Sequence, residues 1–433
     1  MKRDIFLSLE QWKTSTRRKP LILNGARQVG KTYALKYFGK TSYENTIYLN
    51  FERNEQLAHF FEKTIDPIQI IQFLSIYAEE EIHPESTLII FDEIQECPKA
   101  LNSLKYFCED ANEYHVVAAG SLLGVKTANE KGFAVGKVNF LHLYPMSFFE
   151  FLSAIKHEKL RTFLEQISNF DPIPNTFHEM LIQTLKFYLF VGGMPEAVSE
   201  YAQSKNLSIV REIQHEILNA YEKDFGKHAP PQEMMKITAI WNQIHRQLSK
   251  ENRKFIFSAI RQSARGRDYE YSIQWLIDAG LIHKNCMVET PKIPLSAYAE
   301  THTFKIFLLD VGLLGAQSGL SAHSIIEGDS LFTEFKGALI ENFVAQELIA
   351  SRQQPLYYWT SSGTAEIDFL VEQDHEIYPL EVKSGNSSKK KSLLVYEEKY
   401  HPKKLIRTTP MNLKHDGDIY NYPLYLISKL LKY

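Results

Sequence analysis

The sequence predicts a multidomain α/β protein, and three observations carry that expectation. First, its 433 residues exceed what a single hydrophobic core organises; at about 150 residues per domain, two to four domains are expected. Second, short apolar runs at 21–23, 46–51, 88–91, 116–119 and 138–143 alternate with helix-like segments, as in a mostly parallel sheet covered on both faces. Third, the pattern changes twice more along the chain, to a long helical stretch and then to a second mixture of strands and helices.

Taken in order, residues 1–155 form the first α/β domain. Residues 156–230 read as a helical lid, with apolar and aromatic residues three and four apart, interrupted by Val191-Gly192-Gly193-Met194-Pro195. That interruption reads first as a structural turn and alternatively as a hinge. Residues 231–315 carry a basic helical stretch and two strand-like runs, 281–288 and 303–309, which suits a winged-helix-like module. Residues 316–433 are expected to hold a helix over 335–350 and strands at 356–359, 366–371 and 377–382.

The sharpest motif is Gly25-Ala26-Arg27-Gln28-Val29-Gly30-Lys31-Thr32, placed after an apolar strand and before a helix. It is a full match to GxxxxGK[ST], the phosphate-binding loop. Glycines at its ends let the backbone N–H groups turn inward toward phosphate, and the following helix adds a favourable dipole. ATP is the expected ligand, with Lys31 neutralising its β and γ phosphates and Thr32 ligating Mg²⁺.

The run 88–91 then ends in Asp92 and Glu93. Asp92 is expected to hold the metal shell and Glu93 to act as general base. The strand at 46–51 is expected to separate the phosphate-loop strand from the acidic one. The strand at 116–119 is followed by Gly120-Ser121, where Ser121 reads as a γ-phosphate sensor or as a plain helix cap.

A second group of charged residues lies in the last hundred. Strand alternation in Tyr378-Pro379-Leu380-Glu381-Val382-Lys383 puts Glu381 and Lys383 on one face, with Asp368 on the rim of the neighbouring strand. Glu341, set among apolar helix residues, is the third candidate acid. Carboxylates in that array can hold a divalent cation, and the lysine can position water or steady a charged phosphorane. Glu341, Asp368, Glu381 and Lys383 together resemble the PD-(D/E)xK nuclease core, although Ile367 stands where that core has proline.

The motifs also occur in a joint order. The phosphate loop, Asp92-Glu93-Ile94-Gln95, Gly120-Ser121, Leu143-Tyr144-Pro145-Met146-Ser147-Phe148, Gly192-Gly193-Met194-Pro195-Glu196 and Glu381-Val382-Lys383-Ser384-Gly385 resemble the AAA+-like predicted ATPases of bacteria and archaea that carry a nuclease-like C-terminal domain of unassigned function. The resemblance spans nearly the whole chain and implies an ATP-dependent, oligomer-capable module. It departs at Gly136-Lys137, where the family usually shows Gly-Arg, an arginine-finger candidate. Lysine lacks the planar fork that grips two phosphate oxygens, so that role is expected to be weakened or passed to Arg27 or Arg211.

Composition limits the partners. The chain is 44% hydrophobic and 23% charged with a net charge of −3, so contact with nucleic acid has to be local. Two local basic stretches exist: Arg246, Lys250, Arg253, Lys254, Arg261, Arg265 and Arg267, and a second that includes Lys389-Lys390-Lys391. Each reads equally as a phosphate-contacting surface or a solvated face. Cys97, Cys108 and Cys286 lack metal or disulfide spacing. The histidines show no ligand pattern, and no run suits a membrane span or a secretory leader, so a cytoplasmic setting is expected. Two functions follow: an ATP-controlled nuclease acting on DNA, or a nucleotide-gated switch that holds DNA or a protein partner without cutting.

Overall fold

The computed structural model describes residues 1–120, 136–250, 254–262, 264–324, 333–361, 363, 365–385 and 390–432. Its backbone divides into two compact units, one comprising 2–144 with 278–280, the other 145–277 with 281–433.

In the first unit, α1 (Ile5–Thr14), β1 (Leu21–Asn24), α2 (Lys31–Ser42), β2 (Asn45–Asn50), α3 (Glu55–Lys63), α4 (Pro67–Ala78), β3 (Thr87–Asp92), α5 (Pro98–Asp110), β4 (His115–Ala119) and β5 (Asn139–His142) follow one another. The strands form one sheet in the order β2-β3-β4-β1-β5, parallel throughout. Every residue of β1, β3 and β4 is buried, which is why these strands are continuous apolar runs; an apolar side chain is needed on both faces when helices cover both. Ile22, Ile89, Phe91, Val116 and Ala118 share one core with helix residues such as Leu74, Leu101 and Phe107.

Contrary to the expectation from sequence, β2 does not separate β1 from β3. The strand between β1 and β3 is β4, whereas β2 lies outside β3. The burial of β2 explains it: only Ile47 and Leu49 are buried and their neighbours are half-exposed, the alternation of a strand at a sheet edge rather than at its centre.

The second unit opens with α6 (Phe148–Ala154), α7 (Glu158–Gln166), α8 (Asn175–Val191), α9 (Pro195–Ser204), α10 (Leu207–His228), α11 (Pro231–Trp241), α12 (Ile244–Leu248) and α13 (Glu270–Asp278, whose last residue is counted with the first unit). Ser147 and Glu150 form a reciprocal capping box at α6, so Tyr144-Pro145-Met146-Ser147-Phe148 is in part a helix-start signal. Next come β6 (Ile282–Val288), β7 (Ala299–Leu308), α14 (Val311–Gln317), α15 (Thr333–Arg352), β8 (Leu356–Thr360), β9 (Glu366–Gln373), β10 (Glu376–Val382), α16 (Lys391–Tyr400), β11 (Leu405–Thr409), β12 (Lys414–Asp416) and β13 (Ile419–Pro423).

Among the described residues the eight strands of this unit make one mixed sheet, β12-β13-β11-β10-β9-β8-β6-β7. The antiparallel pair β6 and β7, read from sequence as a wing, also joins this sheet through parallel pairing of β6 with β8.

The Gly192-Gly193 break between α8 and α9 has a packing cause. A Cβ on Gly192 would meet Asp310 Oδ1 at 2.2 Å, and one on Gly193 would meet the Met146 carbonyl oxygen at 2.1 Å. Only glycine leaves room for both neighbours, which supports the structural-turn reading.

Candidate functional site

The loop between β1 and α2 curls as its sequence demands. Gly30 caps α2 with φ 93°, a left-handed conformation that glycine adopts at no steric cost. A Cβ at Gly25 would stand 2.3 Å from the Leu143 carbonyl oxygen, so this position also excludes a side chain. Between them Gln28 takes φ 63°.

Lys31 is buried at the start of α2 and donates to the carbonyl oxygens of Gly25 at 3.0 Å and Ala26 at 2.8 Å. Burial draws its pKa down to about 8, against the pull of Glu93 and Asp92. Its ammonium thus rests on the acceptors of its own loop, poised for a stronger anionic partner.

Beneath the loop, the Thr32 hydroxyl donates to Asp92 Oδ2 at 2.9 Å. The same oxygen accepts from the Tyr48 hydroxyl at 2.6 Å, and burial together with this bond raises the Tyr48 pKa to about 12. Asn50, opposite Asp92 in the parallel register, donates to Tyr48 Oη at 3.2 Å. Glu93 turns away from the strand at φ 51°, and its carboxylate accepts from Gln95 Nε2 at 2.6 Å. Two adjacent acids therefore have different settings: Asp92 is buried among hydroxyls at the strand end, and Glu93 is held from the side by an amide.

The structure thus brings Lys31, Thr32, Asp92 and Glu93 into one site, and it adds Tyr48, Asn50 and Gln95. Ser121 lies outside the described residues. Of the finger candidates, Lys137 is paired with Glu109 at 2.8 Å. Arg211 is committed to Gln214 Oε1 at 2.8 Å and to the carbonyl oxygens of Leu320 at 2.9 Å and Gly312 at 3.4 Å, with burial lowering its pKa to about 10. The expectation that Arg211 serves as a finger is corrected by these bonds: a half-buried guanidinium spent on a glutamine side chain and two backbone carbonyls is a structural tie.

Residues 17–152 match the model of a family described as an AAA domain. This segment is an AAA-type ATPase domain. It contains the whole sheet of the first unit and every residue of the phosphate-loop site. Residues 182–324 and 336–426 match two families each described as a domain of unknown function, DUF8612 and DUF4143. An uncharacterized protein of Methanocaldococcus jannaschii is 24% identical over 194 residues, 41% of this chain and 40% of the relative. The chain therefore matches less than half the length of that curated relative. Among solved structures, the Walker-type ATPase of Pyrococcus abyssi is 15% identical, covering 73% of this chain and 96% of that one at a TM-score of 0.46. The ORC1 protein of Aeropyrum pernix, solved in complex with DNA, is 15% identical over 73% of this chain and 90% of that one, at 0.30.

In the C-terminal sheet, β9 and β10 pair antiparallel as far as Leu380 opposite Phe369, so Asp368 and Glu381 follow as neighbours across the strands. Asp368 Oδ2 accepts from the Val382 N–H at 2.8 Å. Lys383 Nζ lies 2.7 Å from Glu381 Oε1, while Glu381 Oε2 is buried without a hydrogen-bond partner. Burial raises the Glu381 pKa, Lys383 opposes that rise, and the Asp368 charge adds to it. Arg407, opposite Glu381 on β11, is buried and donates from Nε to Asn421 Oδ1 at 3.3 Å. Sequence patterns gave no sign of this arginine, because the register that brings it beside Glu381 depends on a parallel pairing across the intervening helix.

Glu341 is placed differently from expectation. Its carboxylate lies 3.9 Å from Lys305 Nζ, and that ammonium is 2.5 Å from Glu366. Among the described residues no group of three His, Cys, Asp or Glu side chains is arranged to hold a metal ion, so Glu341, Asp368 and Glu381 do not form the expected three-acid cluster. The reason is electrostatic: a buried acid on a helix takes a buried cation from β7 as its counter-charge. Lys390 pairs with Asp416, and Lys389 lies outside the described residues. None of the described helices is long and apolar enough to cross a membrane.

Proposed function

We propose that the ATPase domain binds and hydrolyses Mg²⁺·ATP with the side chains just described. The observation that carries this reading is the shared hydrogen bond of Thr32 and Asp92 directly beneath the phosphate loop. Lys31 exchanges the carbonyls of Gly25 and Ala26 for phosphate oxygens. The main-chain N–H groups of 25–32 cradle the rest of the triphosphate.

Thr32 and Asp92 are the residues that would hold Mg²⁺, and the ion would neutralise charge developing on the β and γ oxygens. Glu93, fixed by Gln95, orients the attacking water and accepts its proton. Tyr48 keeps the Asp92 carboxylate turned toward Thr32. Ser121 is proposed as the γ-phosphate sensor, and Lys137 or Arg27 as the trans-acting cation. Self-association of the domain is part of the proposal, since a cation supplied in trans requires a neighbour. The experiment is steady-state ATP hydrolysis with nucleotide binding measured on the same variants, Lys31→Ala losing both and Glu93→Gln losing only hydrolysis.

We further propose that residues 316–433 form a nuclease-like module that engages a phosphodiester through Asp368, Glu381 and Lys383. The unpartnered Glu381 Oε2, beside a second carboxylate, suits a divalent cation held by Asp368 and Glu381. Such an ion would supply Lewis-acid assistance at a phosphorus centre. With Glu341 turned to Lys305, the set is one acid short of the expected array. That favours the reading in which ATP state governs the holding of DNA over the one in which DNA is cut, the lid 156–230 and the winged-helix-like segment 231–315 serving as its relay. Incubating DNA with the protein, ATP and Mg²⁺ or Mn²⁺ decides between them: intact DNA with salt-sensitive binding supports holding, and nicking lost in Asp368→Ala supports cutting.

A further inference from the structure

The segment 254–304 contains a cleft that neither the phosphate loop nor the Asp368 site uses. It has a volume of about 790 Å³ and lies between α13, the turns before it and the β6–β7 hairpin. Its lining joins two chemistries. Arg265, Arg267 and Lys284 contribute three cations against Glu270, and Phe257, Tyr271 and Phe304 contribute aromatic faces.

Tyr271 and Arg267 are open to contact, whereas Phe304 is buried beneath Lys284. Tyr271 is 55% exposed at the first turn of α13. Lys284 Nζ sits 4.3 Å above the Phe304 ring and donates to the Thr301 carbonyl oxygen at 2.9 Å, so its charge is fixed over an aromatic floor. Gly266 lets the backbone carrying Arg265 and Arg267 lie directly on Phe257, since a Cβ there would stand 3.3 Å from that ring. The Arg267 side chain is 74% exposed, and its nearest counter-charge, Asp268, is 3.7 Å away and half-exposed. Within the cleft lining Glu270 is one acid against these three cations, which leaves a surplus of positive charge.

We propose that this cleft binds single-stranded nucleic acid, with one or two unpaired bases stacked against the exposed Tyr271 and the half-buried Phe257 and the backbone phosphates on Arg265, Arg267 and Lys284. Cations interleaved with aromatic faces are the requirement of strand binding without sequence readout. The volume suits a nucleotide-sized occupant, which enters as a splayed base. A duplex keeps its bases stacked inside and offers groove edges to polar side chains, whereas this cleft presents rings. The inference is independent of whether the Asp368 site holds or cuts a phosphodiester.

The test is fluorescence anisotropy of a labelled oligothymidylate of about twenty nucleotides on the full-length protein in EDTA, titrated over a range of salt. Tyr271→Ala is expected to weaken binding about tenfold or more with an unchanged salt slope, because stacking involves no counterion, and Tyr271→Phe to retain it. The double variant Arg265→Glu, Arg267→Glu is expected to weaken binding and lower the salt slope by about 1.4, two phosphate contacts. All three side chains are exposed, so folding is preserved, and equal unfolding temperatures check it. Asp368→Ala is expected to bind as the native chain does. Native affinity in both the Tyr271→Ala and the double arginine variants overturns the proposal. So does binding lost only in Asp368→Ala, preference for duplex, or displacement by free thymidine monophosphate as effective as by the oligonucleotide.

Discussion

Thr32 and Asp92 are joined by a 2.9 Å hydrogen bond between hydroxyl and Oδ2, although one opens the helix after the first strand and the other ends a strand two places away in the sheet. The bond fixes in advance the two groups proposed to hold the metal, so binding would require little rearrangement of either. Replacing Asp92 with Asn keeps the shape and turns an acceptor oxygen into a competing donor for half of rotamers. Hydrolysis is expected to fall about a hundredfold or more, checked by steady-state turnover with Mg²⁺ varied.

Lys31 gives a pH dependence with a definite sign. Its pKa of about 8 in the nucleotide-free protein is depressed by burial, and a triphosphate raises it again. Binding therefore takes up a proton, and affinity declines as the pH rises through 8. Calorimetry at pH 8.5 or so, in buffers of different ionisation enthalpy, is expected to show net proton uptake that disappears in Lys31→Ala.

Gln95 is a positioning residue for Glu93, to which it donates at 2.6 Å. Gln95→Ala is expected to lower kcat about tenfold while leaving nucleotide affinity within about twofold, since it touches no phosphate-loop group. An unchanged kcat would show that Glu93 is oriented by its backbone alone.

Asp310 is a buried carboxyl whose pKa is raised to about 6, by burial first, against hydrogen bonds from Gly193, Leu313, Gly312 and Gln346. A folded value above the unfolded one means its contribution is complete below about pH 4 and is lost as the pH rises through 6, on the order of 3 kcal/mol. Urea unfolding of the native chain and Asp310→Asn at pH 4 and pH 7 is expected to show the native advantage shrinking at the higher pH. A constant difference would contradict it.

Much of the nucleotide site was legible because its requirements are local. Glycines at 25 and 30, the adjoining Lys31-Thr32 and an apolar strand ending in two acids each state their role within a few residues. Tyr48 and Asn50 were not singled out, although their spacing places both on one face of β2; what gives them meaning is the register with Asp92. Arg407 and Asp310 depend on pairings between distant segments that no short pattern encodes. The partner of Glu341 was not legible for a related reason. The sequence shows a buried acid needing a partner, and Lys305, on a strand assigned to another module, is the partner the fold supplies.

In the proposed mechanism Asp92 and Glu93 divide the work of ATP hydrolysis between metal holding and water activation. Its most direct test is ATP turnover beside ATP binding for Glu93→Gln in Mg²⁺. Glu93→Gln is expected to keep native affinity with turnover lowered about a hundredfold or more. Native turnover in Glu93→Gln would contradict it.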